Sequence, residues 1–343
     1  FWTDSSSSTR RILGAEAVTF GIVGWSHKVI EPRVYRAAFV PALLALVLTM
    51  FSLQSRPPPL SQGLAADVLF DGRVAAAEAA RIAELAPDRR PGTPGDRAIA
   101  QRVANAFDDS RFPVDPEGEF THAGKQLVNV IGRRAGRSRR QIVIVADRDA
   151  AVVPEATGSA SDTAALIELA RVLEGRATRK TLVLASLDGS NLGGVGVRAL
   201  IERLPDPDLV DGVLAISDLG SPSRRGPLLQ AWSTDERRAG IGLQRTVAQS
   251  IRRELEAPVG SSGALGQLAR LSFPVGIGPQ AELIDQGYDA VRSAGSGELP
   301  PAGDGPIDAI DEDKLGALGR ATLRTLTALD RGPRPEHGPA SYV

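Results

Sequence analysis

The chain of 343 residues contains no cysteine. Disulfide frameworks, thiolate metal sites and cysteine nucleophiles are therefore excluded. Histidine is scarce: His27, His122 and His337 are the only three, which leaves little imidazole for metal binding or proton transfer. Aromatic residues make up 4% of the chain, so Ala, Leu and Val must fill the core. An excess of either charge is also lacking, with 40 basic against 41 acidic residues and a formal net charge of −1. Without a basic face interleaved with aromatics, nucleic acid is not an expected partner. What is present is an ordinary 42% of hydrophobic residues together with 36 glycines and 24 prolines. That balance fits a packed, turn-rich globular chain.

Long uncharged runs are few, and the one that stands out is Ala37 to Leu53, AAFVPALLALVLTMFSL. As a helix it covers roughly 26 Å, slightly less than a hydrocarbon core of about 30 Å, and Val34 and Tyr35 extend it. Arg10, Arg11, Lys28, Arg33 and Arg36 precede it, and Arg56 follows. The positive-inside rule then predicts a single-pass membrane helix over 34–53, a cytoplasmic or interfacial segment over 1–33, and everything later outside the cell membrane. A buried core helix of the same length is the alternative. The chain begins with Phe1 rather than Met and is read as an excerpt of something longer.

Residues 54–72, with RPPPLSQG at 56–63, read as a Pro-rich linker. Helical patterns are expected at 73–85, 97–107, 162–174, 195–204, 240–255 and 311–329. Apolar strand-like runs lie between, at 127–131, 141–146, 181–187, 213–217 and 228–232. This alternation predicts an α/β domain over 73–330 with a mainly parallel sheet flanked by helices. The tail 331–343 reads as leading to further segments. Ligands in such sheets sit beyond the carboxyl ends of the strands. Several of these strand ends are acidic: Asp147 and Asp149, Asp188, and Asp218. Acidic residues also cap helices, but three strand ends with the same habit point to a polar cleft.

Five segments recur in a telling order: RRPGTPGDRAIAQRVANAF (89–107), KQLVNVIGRRAGRSRRQIVIVADRDA (125–150), GSASDTAALIELARVL (158–173), TLVLASLDGSNLGGVG (181–196) and VLAISDLGS (213–221). From about residue 87 to 330 the chain resembles metallopeptidase family 28, the leucyl aminopeptidase and carboxypeptidase Q-like zinc peptidases, as a degenerate member. GPQAELIDQGYDAVRSAG (278–295) is similar to that family's later strand region. The resemblance implies a site for two zinc ions that polarise a peptide carbonyl and generate hydroxide. It also implies that Asp162 and Asp218 stand at metal-ligand positions, and that Asp149 stands where an aspartate orients the first histidine ligand. Asp147 occupies that first histidine position. Ser190 and Asn191 replace a Glu-Glu pair, so that Ser190 falls at the general base and Asn191 at a ligand. The late histidine has no counterpart before His337. Zinc prefers a closed set of about four ligands, and loss of a general base alone costs 10²–10⁴-fold in rate.

Zinc and peptide hydrolysis are accordingly not expected. The expected function is a membrane-anchored, extracytoplasmic pseudo-peptidase that binds an unidentified protein or small molecule. The alternative is an active metal-dependent aminopeptidase with a rebuilt site. No cofactor is required, although Asp147, Asp149, Asp162 and Asp218 together would suit Ca²⁺ or Mg²⁺ better than zinc. Neutralisation by Arg148 and other basic neighbours is the competing account of that cluster. GVGVRA (194–199) satisfies a G-x-G-x-x-A pattern, but Asp188 to Gly193 separate it from the strand, unlike a dinucleotide turn. Serine hydrolysis would need a histidine near Ser190, and none is near in sequence.

Overall fold

The strands expected at 141–146, 181–187 and 213–217 form the middle of a six-stranded sheet. In the computed structural model the described residues are 38–47, 59–60, 70–150, 156–224, 226–235, 237–256, 259, 276–297 and 305–335. The chain divides into two units, Phe1–Ser55 and Arg56–Val343. In the first, a helix over 38–47 (α1) leaves Phe39, Val40, Leu43, Leu44, Leu46 and Val47 exposed. The remainder of the span expected at 34–53 lies outside the described residues, as do most of the linker and the tail. Among the described residues no helix is long and apolar enough to cross a membrane.

The second unit begins with α2 (Gly72–Leu85) and α3 (Pro94–Asp109), capped by Asp71 and Thr93. The α3 helix starts three residues before its expected position, because Thr93 accepts from the Asp96 N–H and Pro94 sits in the first turn, where it loses no hydrogen bond. A small antiparallel ribbon follows, β1 (Glu119–His122) with β2 (Lys125–Val128). The single strand expected at 127–131 is in fact two, β2 and β3 (Val130–Arg134), separated by Asn129. The Asn129 amide explains the break: it donates to the Gly196 carbonyl and accepts from the Asp188 N–H, so it serves the loop that follows the strand Lys180–Leu187.

After β4 (Ser138–Asp147), α4 (Ser159–Leu173) and β5 (Lys180–Leu187) come α5 (Val195–Ile201), β6 (Val210–Ser217) and β7 (Leu228–Gln230). The chain continues through α6 (Ile241–Leu255), α7 (Pro279–Asp285), β8 (Ala290–Ala294) and α8 (Glu312–Arg331). The sheet order is β3-β5-β4-β6-β8-β7. Its four inner strands are parallel, and the edge strands β3 and β7 run antiparallel to them. Ile142, Val143, Ile144, Val145 and Ala146 are fully buried, as a strand covered on both faces requires. Central α4 packs on α2, α3 and α8, which is why its apolar residues do not keep to one stripe. The chain steps from β4 to β5 on one side and then crosses to β6 on the other. The order thus reverses between β4 and β6, where a crevice opens beyond the carboxyl ends.

Candidate functional site: a carboxylate cleft around a buried arginine

A cleft of about 450 Å³ lies at that reversal point. Asp147, Asp149, Asp162, Ser190, Asn191 and Asp218 all line it, so the fold brings every candidate site residue to one place. Residues 188 to 194 reach it through a tight turn with Gly189, Gly193 and Gly194 at positive φ. Val197, Ile277, Pro279 and Ala281 give the cleft apolar wall.

Each of three aspartates is engaged by the protein itself. The Asp149 carboxylate accepts the Ser190 and Asn191 N–H groups at 2.9 and 3.0 Å. It also accepts the Ser190 hydroxyl at 2.6 Å and the Asn191 side-chain amide at 2.9 Å. These backbone amides are therefore not available to cradle a phosphate, and the Gly194 N–H is given to the Ser190 carbonyl. The Ser190 hydroxyl faces a carboxylate, and the only described histidine, His122, is exposed on the ribbon. Among the described residues no histidine stands beside it to make it a nucleophile.

Asp162, in the first turn of α4, accepts the N–H groups of Asp218 and Leu219 at 2.8 and 2.9 Å. Next to it, the Ser161 hydroxyl accepts the Gly220 N–H. This clamp holds Asp218 at φ +54°, a left-handed conformation uncommon outside glycine. The Asp218 carboxylate in turn accepts from the Ser296 hydroxyl at 2.7 Å and the Ser217 hydroxyl at 3.2 Å.

Among the described residues, Arg292 on β8, 5% exposed, brings a positive charge to the cleft wall. Its guanidinium donates to the Ser217 hydroxyl at 2.6 Å, the Gln230 side-chain oxygen at 3.1 Å and the Ile277 carbonyl at 3.4 Å. It lies 3.6 Å from the Asp218 carboxylate. Gln230 is its register partner on β7, so both side chains project from one face of the sheet. Asp147, part-buried at the end of β4, accepts no hydrogen bond among the described residues. Burial, with the neighbouring Asp149, pushes its carboxyl up to about 7, and the Arg292 charge opposes that rise.

Of the basic neighbours expected to neutralise this cluster, Arg292 lies beside Asp218, whereas Arg148 makes its ion pairs elsewhere. Side chains alternate along a strand, and Arg148 leaves on the opposite side from Asp147. There, fully buried, it makes a two-pronged pair with Asp96 of α3 at 2.9 and 2.8 Å and donates to the Val128 carbonyl at 2.7 Å. Asp188 lies 3.7 Å from the same guanidinium. Burial and the nearby Asp96 push the Asp188 carboxyl up.

The two zinc ions implied by the family resemblance do not fit these donors. Asp149 and Asp162 are turned to backbone amides, Asp218 is held by two hydroxyls with a guanidinium beside it, and positions 190 and 191 carry Ser and Asn. Among the described residues no three His, Asp, Glu or Cys side chains assemble in a way that would hold a metal ion. The four aspartates of the expected all-oxygen cluster share one cleft. Sequence reasoning missed Arg292, together with Ser296 and Gln230. The signal was there: an arginine inside the apolar strand AVRSA, where a charge is tolerated only if paired.

No family model matches the chain, and no curated protein matches it in sequence. Solved structures match its fold. A zinc aminopeptidase from Bacillus subtilis aligns with a TM-score of 0.61 at 11% identity, over 80% of this chain and 95% of that one. The LapA aminopeptidase of Legionella pneumophila gives 0.63 at 13%, over 82% and 78%. A glutaminyl cyclase from an Acidobacteriales bacterium gives 0.56 at 16%, over 81% and 99%. The α/β unit therefore has the fold of these zinc aminopeptidases and glutaminyl cyclases, as the family-28 resemblance implied.

Proposed function

We propose that this aminopeptidase-like unit binds a ligand or partner in its cleft and does not hydrolyse peptides. One observation carries the reading: the Asp162 and Asp218 carboxylates, both at ligand positions, are already engaged by hydrogen-bond donors of the chain itself. A metal-bound hydroxide would need those oxygens, and a general base would need a free carboxylate or imidazole where Ser190 stands. No cofactor takes part in this reading. Ca²⁺ and Mg²⁺, which favour oxygen ligands, remain the cations to test against it. The test is turnover of aminoacyl and dipeptide substrates by the full chain, with and without added zinc. The expected rate equals that of Asp162→Asn. Zinc-dependent turnover abolished by that substitution would overturn the proposal and favour a hydrolase with a rebuilt site.

The unit is proposed to work outside the cell, tethered by the apolar segment 34–53, with the N-terminus in the cytoplasm. Support comes from the uncharged run, the basic residues ahead of it and the exposed apolar side chains of α1. Protease added to intact cells should digest epitopes placed after residue 53 and spare one placed before residue 33. The reverse pattern would refute the orientation.

A further inference from the structure

We infer that the Arg292 guanidinium is a built-in counter-ion that replaces metal charge at the centre of this peptidase fold. It balances the carboxylate of Asp218 in the cleft and denies that place to a divalent cation. The inference rests on the reading that the chain has given up its metals, and it names what took over their structural work.

Four features support it. The guanidinium is buried and lies 3.6 Å from Asp218, at one ligand position, while its charge also acts on Asp147, at another. Among the described residues it also donates to neutral acceptors, namely Ser217, Gln230 and Ile277, which orient the group without cancelling its charge. Backbone space is reserved for it as well. A Cβ on Gly278, whose φ is +105°, would come within 2.9 Å of the Arg292 Cδ. Finally, Arg148, fully buried one residue beyond Asp147, is committed to Asp96 on the far side of the strand. Arginine suits this role because it stays charged at any relevant pH and directs several donors in one plane. A divalent ion entering the cleft would meet both the positive charge of Arg292 and carboxylates that it already balances.

The experiment compares thermal unfolding of the full chain with Arg292→Gln, Arg292→Lys and the double variant Arg292→Gln/Asp218→Asn, each with and without Zn²⁺ or Mg²⁺. The wild-type melting temperature should not respond to either ion. Arg292→Gln should lose roughly 6–15 °C, as expected for removing one partner of a buried ion pair in a domain of this size. It should regain part of that loss with Zn²⁺ or Mg²⁺. Arg292→Lys should keep most of the stability, and the double variant should recover it with no metal. If Arg292→Gln is insoluble, a soluble double variant supports the inference and an insoluble one overturns it. An Arg292→Gln protein that melts like wild type overturns it, as does a loss that neither ion nor Asp218→Asn relieves. So does a wild type stabilised by zinc. Hydrolysis by the wild-type chain would instead sink the non-hydrolytic reading, leaving the Arg292 variants to judge the counter-ion separately.

Discussion

At the scale of residues, the site shows how a carboxylate can keep its place in a fold while changing its work. Asp162 is buried with its carboxylate accepting two backbone N–H groups of the loop after β6, so on the proposed reading its burial needs no metal. Hydrogen bonds to a charged group contribute about 1.5–3 kcal/mol each way in substitution experiments. Asp162→Asn replaces one acceptor oxygen by an NH₂ that faces an N–H donor. It should therefore destabilise the chain by about 2–3 kcal/mol in urea titration. A variant as stable as wild type would show that the clamp does not hold Asp218 in its left-handed conformation. Lys314 illustrates the same thrift: buried, with its pKa lowered by that burial, it donates to the Ser221 and Ser223 carbonyls and fastens the far end of the same loop.

At the scale of elements, the loop before α7 matters most, because Gly278 lies against Arg292. Alanine there would meet a disfavoured φ and crowd both the arginine and the Gln280 side chain. Gly278→Ala should lower stability by about 1–3 kcal/mol, measured by chemical denaturation, while Gly193→Ala should cost less, since open space surrounds Gly193. Equal losses at the two positions would remove the steric argument. Much of this layer was legible in advance. The buried strands β4, β5 and β6 announce themselves as apolar runs, and Asp147, Asp149 and Asp218 lie at or just beyond the ends of β4 and β6. The break at Asn129 was not legible, because its cause is a contact with a loop 59 and 67 residues away. Arg292 was missed for a similar reason. Its partners come from β6, β7 and the segment before α7, which no local pattern joins.

At the scale of the whole molecule, the charged interior gives stability an uncommon dependence on pH. Asp147 and Asp188 both have carboxyls raised by burial, that of Asp147 to about 7. A raised carboxyl binds its proton more tightly when folded, so stability falls as pH climbs from the unfolded value near 4 toward 7. The lowered carboxyls, Asp71, Asp88, Asp211 and Asp235, act the other way. Their contribution is complete above about pH 4 and is lost only in more acid solution, so they leave the window from 5 to 8 unaffected. The chain should be more stable at pH 5 than at pH 8 by equilibrium denaturation, with the difference reduced in Asp188→Asn. Stability that does not fall across this window would mean that both buried carboxyls ionise as freely in the folded chain as in the unfolded one. Above all, the proposed function and the counter-ion role of Arg292 together require an aminopeptidase fold that holds an internal cation in place of a metal centre. The most direct measurement is zinc content per chain by elemental mass spectrometry, after the full-length protein is loaded with zinc and dialysed. The account predicts a value near zero, whereas two equivalents retained per chain would contradict it.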